Sequence, residues 1–439
     1  MNRNVNDSAH RRKRAPGNVR PDVSSVSESA RGTAGSRNEL VKREAELPAV
    51  REEVMPGRKK TEYERIKTSP DRILIVIIFM LVCMGSLMVF SASYPYAVSQ
   101  NLGSYYYLKR QVVFAALGFV TMTIASKIPY DFYKKVAWIA YAIAAALLVL
   151  VLVMGVSEGE AQRWLVIPGT GISMQPSEIM KVALILVMAR YVSINAEYMM
   201  QKTSGKLQFL YGTVYPTFIL FPTCTLVLLE KHLSGTAIIF MIGCIILFIG
   251  GANLGMLIGT YLPVGLIGGG LFLYFNSYAW KRVMTFFDEN ANALDEDWQT
   301  TQGLLAIGSG GLFGLGLGES RQKYGYVSQP QNDFIFTILC EELGFIGALF
   351  VIALFVALLW RGFTVARRAP DVFSSLVAYG IMSHVTIQAV LNIMVVTDSF
   401  FNTGVSLPFF SYGGSSLVML MTEMGIVLSI SRHSRQKKA

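Results

Sequence analysis

An all-α integral membrane protein of about ten transmembrane helices is what this sequence predicts, and three observations predict it. The chain is 52% hydrophobic and only 15% charged over 439 residues, where soluble domains carry about 25% charged residues. Its mean hydropathy is +0.44. Apolar runs such as "ILIVIIFMLVCMGSLMVF" (73–90) and "VAWIAYAIAAALLVLVLVMGV" (136–156) reach the roughly 20 residues that a helix needs to cross the hydrocarbon core. They lack the alternation of a membrane-barrel strand.

Residues 1–68 are rich in Arg, Ser, Glu and Gly and hold no apolar stretch able to form a core, so they are expected to be a disordered, basic cytoplasmic tail. No apolar run lies near the start, which argues against a cleaved signal peptide and leaves the first span as the insertion signal. The membrane domain is expected over 69–432, with a short basic cytoplasmic tail at 433–439. By apolar length the spans fall at 72–93, 109–127, 135–156, 176–194, 210–229, 235–252, 255–277, 334–360, 372–396 and 411–431.

With the N-terminus inside, "SKIPYDFYKK", "NAEYMMQKTSGK", "RGFTVARRAPD" and "SRHSRQKKA" all fall on the cytoplasmic side, as the positive-inside rule requires of an even number of spans. The outer side receives 94–108, 157–175, the short "EKHLS" turn, 278–333 and 397–410. The largest of these, 278–333, lies between spans 7 and 8. Connections far beyond about 4–6 residues tend to carry function.

Cys83, Cys224, Cys244 and Cys340 sit inside apolar runs without metal-ligand spacing, so they read as packing residues. The formal charge of +10 gathers in the tails and in alternate loops, which fits membrane orientation and speaks against nucleic acid as a partner.

Outward cations run against that bias and are informative. Lys109, Arg110, Arg163, Lys231, Lys281, Arg282, Arg321 and Lys323 all fall on the outer side. Singly each is a solvated rim charge; together they suit a cavity for a multiply charged anion such as a diphosphate. In "AQRWLVIPGTGISMQPSEIMKVALIL" (161–186), Pro176 suits the first helical position and puts Glu178 near N3, where a carboxylate caps free N–H groups. Lys181, three residues on, shares its face, and an ionisable pair inside a span faces a cavity or a partner rather than lipid. Trp164 beside Arg163 is either an interfacial anchor or part of that site.

Asp333, just before "FIFTIL", has the position of an N-cap. Held there at a cavity mouth, it would also suit a general base for a hydroxyl. Glu341, about 12 Å deeper by helical rise, is a functional candidate or a helix-helix hydrogen-bonding partner. "GSGGLFGLGLGES" (308–320) lacks the Gly-Lys-Ser/Thr ending of a P-loop and the dinucleotide spacing, so it reads as a flexible or closely packed re-entrant segment. "LPFFSYGGSSL" (407–417) breaks a helix at Pro408, Gly413 and Gly414, either lining a cavity or packing tightly through small residues.

In order and spacing, "FSAS" (90–93), "AQRWLVIPGTGISMQPSEIMKVAL", "QTTQGLLAIGSGGLFGLGLGESRQKYGYV", "NDFIFTILCEELGFIG" and "LPFFSYGGSSL" resemble the signature blocks of the SEDS family (shape, elongation, division and sporulation). The likeness is strongest to its division branch, that of FtsW and SpoVE, and it covers roughly residues 70 to 431.

The resemblance implies a ten-span peptidoglycan glycosyltransferase that polymerises lipid II on the outer face of the bacterial cytoplasmic membrane during cell division or sporulation, with the division septum as its expected place. It also implies a class B penicillin-binding protein and other divisome proteins as partners. Carried over, it makes Asp333 the catalytic acidic residue and a candidate metal ligand, with a divalent cation, Mg2+ or Mn2+, as the cofactor it would hold. Arg163, Trp164, Glu178, Lys181 and Ser415 fall in its motifs. With Lys109, Arg110 and Lys323 from the outer charge set, they are the expected substrate-binding residues.

Two positions depart from the family pattern: Gln329 stands where a glutamate is usual, and "KHLSGT" replaces a block with an aspartate, so His232 receives no catalytic weight. A lipid II flippase is the alternative that ten spans and an intramembrane charge pair also suit. A scaffold would leave the outer carboxylates without a purpose.

Overall fold

The apolar runs fold as helices, and polar residues between them set where several begin. The computed structural model of the chain describes residues 63–67, 69–158, 161–167, 172–200, 205–276, 280, 283, 284, 286 and 298–437. The helices are α1 (Arg72–Ser99), α2 (Tyr106–Lys127), α3 (Tyr130–Met154), α4 (Pro176–Met200), α5 (Gly205–Leu229, with a π-helical turn at Leu210–Val214), α6 (Leu233–Ile249), α7 (Leu254–Phe275), α8 (Trp298–Ser309), α9 (Ile335–Arg367), α10 (Val372–Val396) and α11 (Gly414–Ser431). All but α6 and α8, nine among the described residues, are long and apolar enough to cross a membrane. The 17 residues of α6 span about 25 Å, short of the roughly 30 Å of a hydrocarbon core.

Local chemistry explains several starts. Asp71 caps α1 by accepting from Leu74 N at 3.1 Å, and its other oxygen accepts from Arg361 Nε at 2.6 Å, tying α1 to the end of α9. Asp371 and Ser374 form a reciprocal capping box on α10. Pro176 takes the first position of α4, as its spacing predicts.

Small residues let helices approach. A Cβ added to Gly118 of α2 would lie 2.8 Å from Met421 of α11, and one on Gly425 of α11 would lie 2.5 Å from the Met122 carbonyl of α2. Backbones packed that closely gain dispersion contacts where lipid supplies no hydrophobic drive. Inside the same bundle, His384 Nδ1 of α10 and Glu423 Oε2 of α11 lie 2.9 Å apart, both buried. By contrast α7 buries only Leu257 and Tyr261, which makes it peripheral.

Three features depart from the sequence expectation. Span 334–360 is not one straight helix: Gly344 adopts φ 67° and ψ −169° inside α9 and divides it, a conformation glycine adopts without the steric penalty of a Cβ. Between α3 and α4 lies a small antiparallel meander, β2 (Val156–Glu158), β3 (Ala161–Ile167) and β4 (Ile172–Met174). And β1 (Tyr63–Lys67), within the stretch expected to be a disordered tail, pairs antiparallel with β5 (His433–Lys437). Strands this short carry too few residues for an alternation to stand out. The rest of the tail, 1–62, lies outside the described residues.

Candidate functional site

Asp333 precedes α9, but it is not the N-cap that its sequence position predicts. Phe334 occupies that position and makes no side-chain cap. What fixes Asp333 is its backbone: its carbonyl accepts from Asn392 Nδ2 of α10 at 2.7 Å, and the same amide reaches the Val405 carbonyl at 2.7 Å. One buried asparagine thus holds Asp333 against the 397–413 connection. On that connection Gly404 has φ 65°, and a Cβ there would lie 3.8 Å from Asp333 Oδ2, so the half-buried carboxyl faces Gly404. Gln329, at the place of the family glutamate, has φ 44° and accepts from Asn332 Nδ2 at 2.7 Å, closing a turn just before Asp333.

A second group gathers at the start of α4. Glu178 and Lys181 form an ion pair at 2.8 Å, only 8% and 3% exposed, so water screens it little. The sequence places both on one face, and the structure pairs them. We predict that Glu178→Gln and Lys181→Met combine non-additively in polymerisation assays, with a coupling of about 0.5–3 kcal/mol. Additive losses would return Glu178 to the role of a helix cap.

Beside the pair lies the turn between α5 and α6, where the sequence reading counted Lys231 among the outer cations and gave His232 no catalytic weight but passed over Glu230. Arg163 of β3 donates Nη2–H to the Lys231 carbonyl at 2.7 Å. Gln175 Nε2 is 3.4 Å from His232 Nδ1. Burial, then the charges of Arg163 and Lys181, hold the His232 imidazole well below its ordinary pKa, so it stays neutral. Glu230, 1% exposed, has neither carboxyl oxygen hydrogen-bonded. Its burial pushes its pKa up to about 8, against the lowering pull of Arg163. The signal for Glu230 was present in the sequence: a carboxylate closing an apolar helix.

The two groups share one end of the bundle. Ser234, two residues past His232, donates to the Thr403 carbonyl at 2.5 Å, and Gly404 next door faces Asp333. From the other flank, Arg110 lies 4.8 Å over the Tyr106 ring and interacts with Tyr412. Tyr412 stacks edge-on against Tyr107 at 4.9 Å and donates its backbone N–H to the Gln331 carbonyl at 2.8 Å, two residues from Asp333. Ser415 sits nearby at the start of α11, its hydroxyl buried without a partner. Trp164 is half-buried in the meander, and Lys109 is exposed. Lys281 and Arg282 lie outside the described residues.

Lys323, one of the expected substrate-binding residues, lies packed inside the protein. It is 3% exposed and donates Nζ–H to Glu342 Oε1 at 2.8 Å, the Gly318 carbonyl at 2.6 Å and Ser91 Oγ at 3.2 Å. Its charge is thus already compensated within the protein. Ser91 in turn donates to both oxygens of Glu342, at 2.6 and 2.7 Å. Neighbouring Glu341 accepts from Ser320 Oγ at 2.5 Å and Arg321 N at 2.9 Å. The two glutamates therefore clamp the 318–323 segment. The glycine-rich stretch before them is closely packed: a Cβ on Gly310 would meet the Cys340 carbonyl, and one on Gly314 the Glu342 carbonyl.

Among the described residues no group of three His, Cys, Asp or Glu gathers to hold a metal ion.

Residues 71–436 match the family model FTSW_RODA_SPOVE, described as cell cycle protein. The chain is 39% identical over 376 residues to stage V sporulation protein E of Bacillus subtilis (strain 168), covering 84% of this chain and 99% of that protein. It is 34% identical over 368 residues to a protein of Geobacter sp. (strain M18) named "Probable peptidoglycan glycosyltransferase FtsW", covering 83% and 97%. Among solved structures it is similar to a chain from work on the structural coordination of polymerization and crosslinking by a peptidoglycan synthase complex, with TM-score 0.69, 25% identity and coverage of 83% and 98%. The rod shape determining protein RodA of Thermus thermophilus is similar with TM-score 0.60, 25% identity and coverage of 83% and 97%.

Proposed function

The chain belongs to the FtsW, RodA and SpoVE family of cell cycle proteins, and from that premise we infer that it is a peptidoglycan glycosyltransferase, a multi-pass membrane enzyme that polymerises lipid II into glycan strands. The observation that supports the site is the convergence at one end of the bundle of Asp333 with the Arg163, Glu178 and Lys181 group, through Ser234, Thr403 and Gly404.

Asp333 is the general base. It takes the proton from the 4-hydroxyl of the acceptor sugar as that oxygen attacks the donor's anomeric carbon. The bond from that carbon to the diphosphate breaks on the opposite face, so the configuration inverts, and the lipid diphosphate leaves with the electron pair. Arg163 and Lys181 meet its charge, Arg110 and Lys109 extend the cationic flank, and Trp164 and Ser415 contact the substrate. The diphosphate itself is the energised leaving group, so no nucleotide is required. A divalent cation, Mg2+ or Mn2+, would arrive with the diphosphate, and Asp333 would be its protein ligand.

The orientation follows from charge. With α6 counted as a tenth crossing, its short length met by local thinning of the bilayer, α1 to α7 and α9 to α11 with both termini cytoplasmic put the Asp333 end and the segment between α7 and α9 outside, where lipid II is consumed. The pairing of β1 with β5 supports a shared side for the two tails. We predict that cysteines placed in the 278–333 segment of intact cells are labelled by an impermeant reagent while cysteines before residue 69 are not. A labelled N-terminal tail would reverse the assignment.

The partner is a class B penicillin-binding protein that crosslinks the product at the septum among other divisome proteins; the similar synthase complex couples polymerization to crosslinking. The deciding experiment is the purified protein with lipid II in detergent. Glycan polymer formed there, without a second compartment or a potential, selects the enzyme; no polymer despite correct folding and a bound partner selects the flippase.

A further inference from the structure

At the far end of α9 from Asp333, the start of α1 and the ends of α9 and α11 enclose a cleft of about 320 Å³, at the lower end of the roughly 300–1,000 Å³ of small-molecule sites. Three guanidiniums line it, those of Arg72, Arg361 and Arg368, against one carboxylate, Asp71. Asp71 fixes the walls. Its carboxyl accepts from Leu74 N and from Arg361 Nε, and its backbone N–H donates to Ser431 Oγ of α11 at 3.2 Å. One residue thus joins three helix ends, and its charge is taken up by Arg361. Arg72 and Arg368 are left over: both are exposed, and neither makes an ion pair or a side-chain hydrogen bond among the described residues.

Helix chemistry explains one of these two cations and not the other. Arg368 is the C-cap of α9 and meets the negative end of its dipole, whereas Arg72 holds the first position of α1, the positive end, where a cation is disfavoured. An anion seated there would relieve both the guanidinium and the helix end. Depth says which anion. Trp360, one residue before Arg361, is 73% exposed, and Ile73, which lines the cleft beside Arg72, is 55% exposed. An exposed tryptophan near the end of a span marks the membrane–water interface. The cleft is therefore at headgroup depth, with apolar side chains beside it that meet acyl chains.

We propose that this cleft binds the headgroup phosphate of an anionic phospholipid from the cytoplasmic leaflet, with Arg72 and Arg368 as its ligands and Ile73 and Trp360 against its chains. A guanidinium suits phosphate because its planar fork gives two N–H bonds to one anion. Basic pockets between spans on the cytoplasmic side hold anionic headgroups by this chemistry, and the excess charge here favours a lipid of net negative charge, such as phosphatidylglycerol, over a zwitterionic one. The site is at the other end of α9 from Asp333, so the inference stands or falls apart from the polymerase reading.

The test mixes full-length protein in detergent with phosphatidylglycerol, phosphatidylethanolamine or inorganic phosphate, counts retained lipid by native mass spectrometry and runs melting curves alongside. Phosphatidylglycerol is expected to be retained at concentrations on the order of tenfold lower than phosphatidylethanolamine, the scale of one charge-assisted hydrogen bond, and to raise Tm. Inorganic phosphate is expected neither to displace it nor to raise Tm. Arg72→Gln combined with Arg368→Gln is expected to lose the preference while its Tm without lipid stays at the wild-type value. Lys127→Gln with Lys206→Gln, which removes two exposed charges from other helix ends on the same side, is expected to keep the preference.

A wild type that retains both lipids equally overturns the inference, even if the arginine variant fails to fold. So does an arginine variant that keeps the preference, or a lysine variant that loses it to the same extent, which would assign it to the general charge of this surface. If inorganic phosphate displaces the lipid and raises Tm by itself, the cleft is a site for a soluble phosphate and the lipid assignment falls.

Discussion

Asp333→Asn protein is expected to fold, reach the membrane and hold its crosslinking partner, yet polymerise lipid II about 10²–10⁴-fold more slowly, the usual cost of losing a general base. Asparagine is nearly isosteric, so the Asn392 bond to the residue 333 carbonyl and the contact with Gly404 survive the change. The structure sharpens this test. Phe334, not Asp333, is the N-cap of α9, and asparagine is itself a good cap, so melting curves run beside the assay separate a loss of chemistry from a frayed helix. An amide cannot accept the proton of the acceptor hydroxyl and is a weak metal ligand. Near wild-type polymer length and rate from well-folded Asp333→Asn protein would remove Asp333 from the chemistry.

The second large effect is on stability. Lys323→Met strips buried Glu342 of its ion-pair partner, leaving only Ser91 and the Ser320 N–H to hydrogen-bond it. Removing one partner of a buried ion pair costs about 3–5 kcal/mol, enough to lower Tm and expression sharply. Exposed Lys109→Ala should stay within about 0.5 kcal/mol. Replacing both partners, as Lys323→Met with Glu342→Leu, should recover part of the loss, since an apolar pair leaves no unpaired charge. If Lys323→Met melts like the wild type and loses only substrate affinity, the clamp is wrong and Lys323 belongs to the diphosphate site after all.

The opening of the 318–323 segment would also expose why the glutamates sit in an apolar run. Glu341 and Glu342 accept hydrogen bonds from that segment's backbone and side chains. Next to them Gly344 breaks the helix so that the Phe345 and Ile346 amides can reach the Gly311 and Leu312 carbonyls, at 2.9 and 3.2 Å. Two carboxylates thus stabilise a docked loop, and the loop carries the chain to Asp333.

How much of this was legible is decided by range. Membrane crossing follows from the apolar content of about 20 consecutive residues, a property of the sequence alone, and the helices stand close to where those runs predict. The Glu178 and Lys181 pair was equally local, because three residues along a helix fix a shared face. The blocks around Arg163 and Asp333 were visible as motifs.

What the sequence by itself determined, then, is the class of protein, the place of nine of the ten expected spans among the described residues, and the pairs that helix geometry brings together within one turn. Tertiary structure alone decided which end-groups meet. It set Lys323 against Glu342 across 19 residues and against Ser91 across 232, which gives that charge its partners inside the bundle. It brought Thr403 to Ser234 across 169, and left Glu230 buried beside Arg163. The physical reason is that a charge's role depends on what compensates it, and compensation in a bundle comes from neighbouring helices, which no local periodicity encodes.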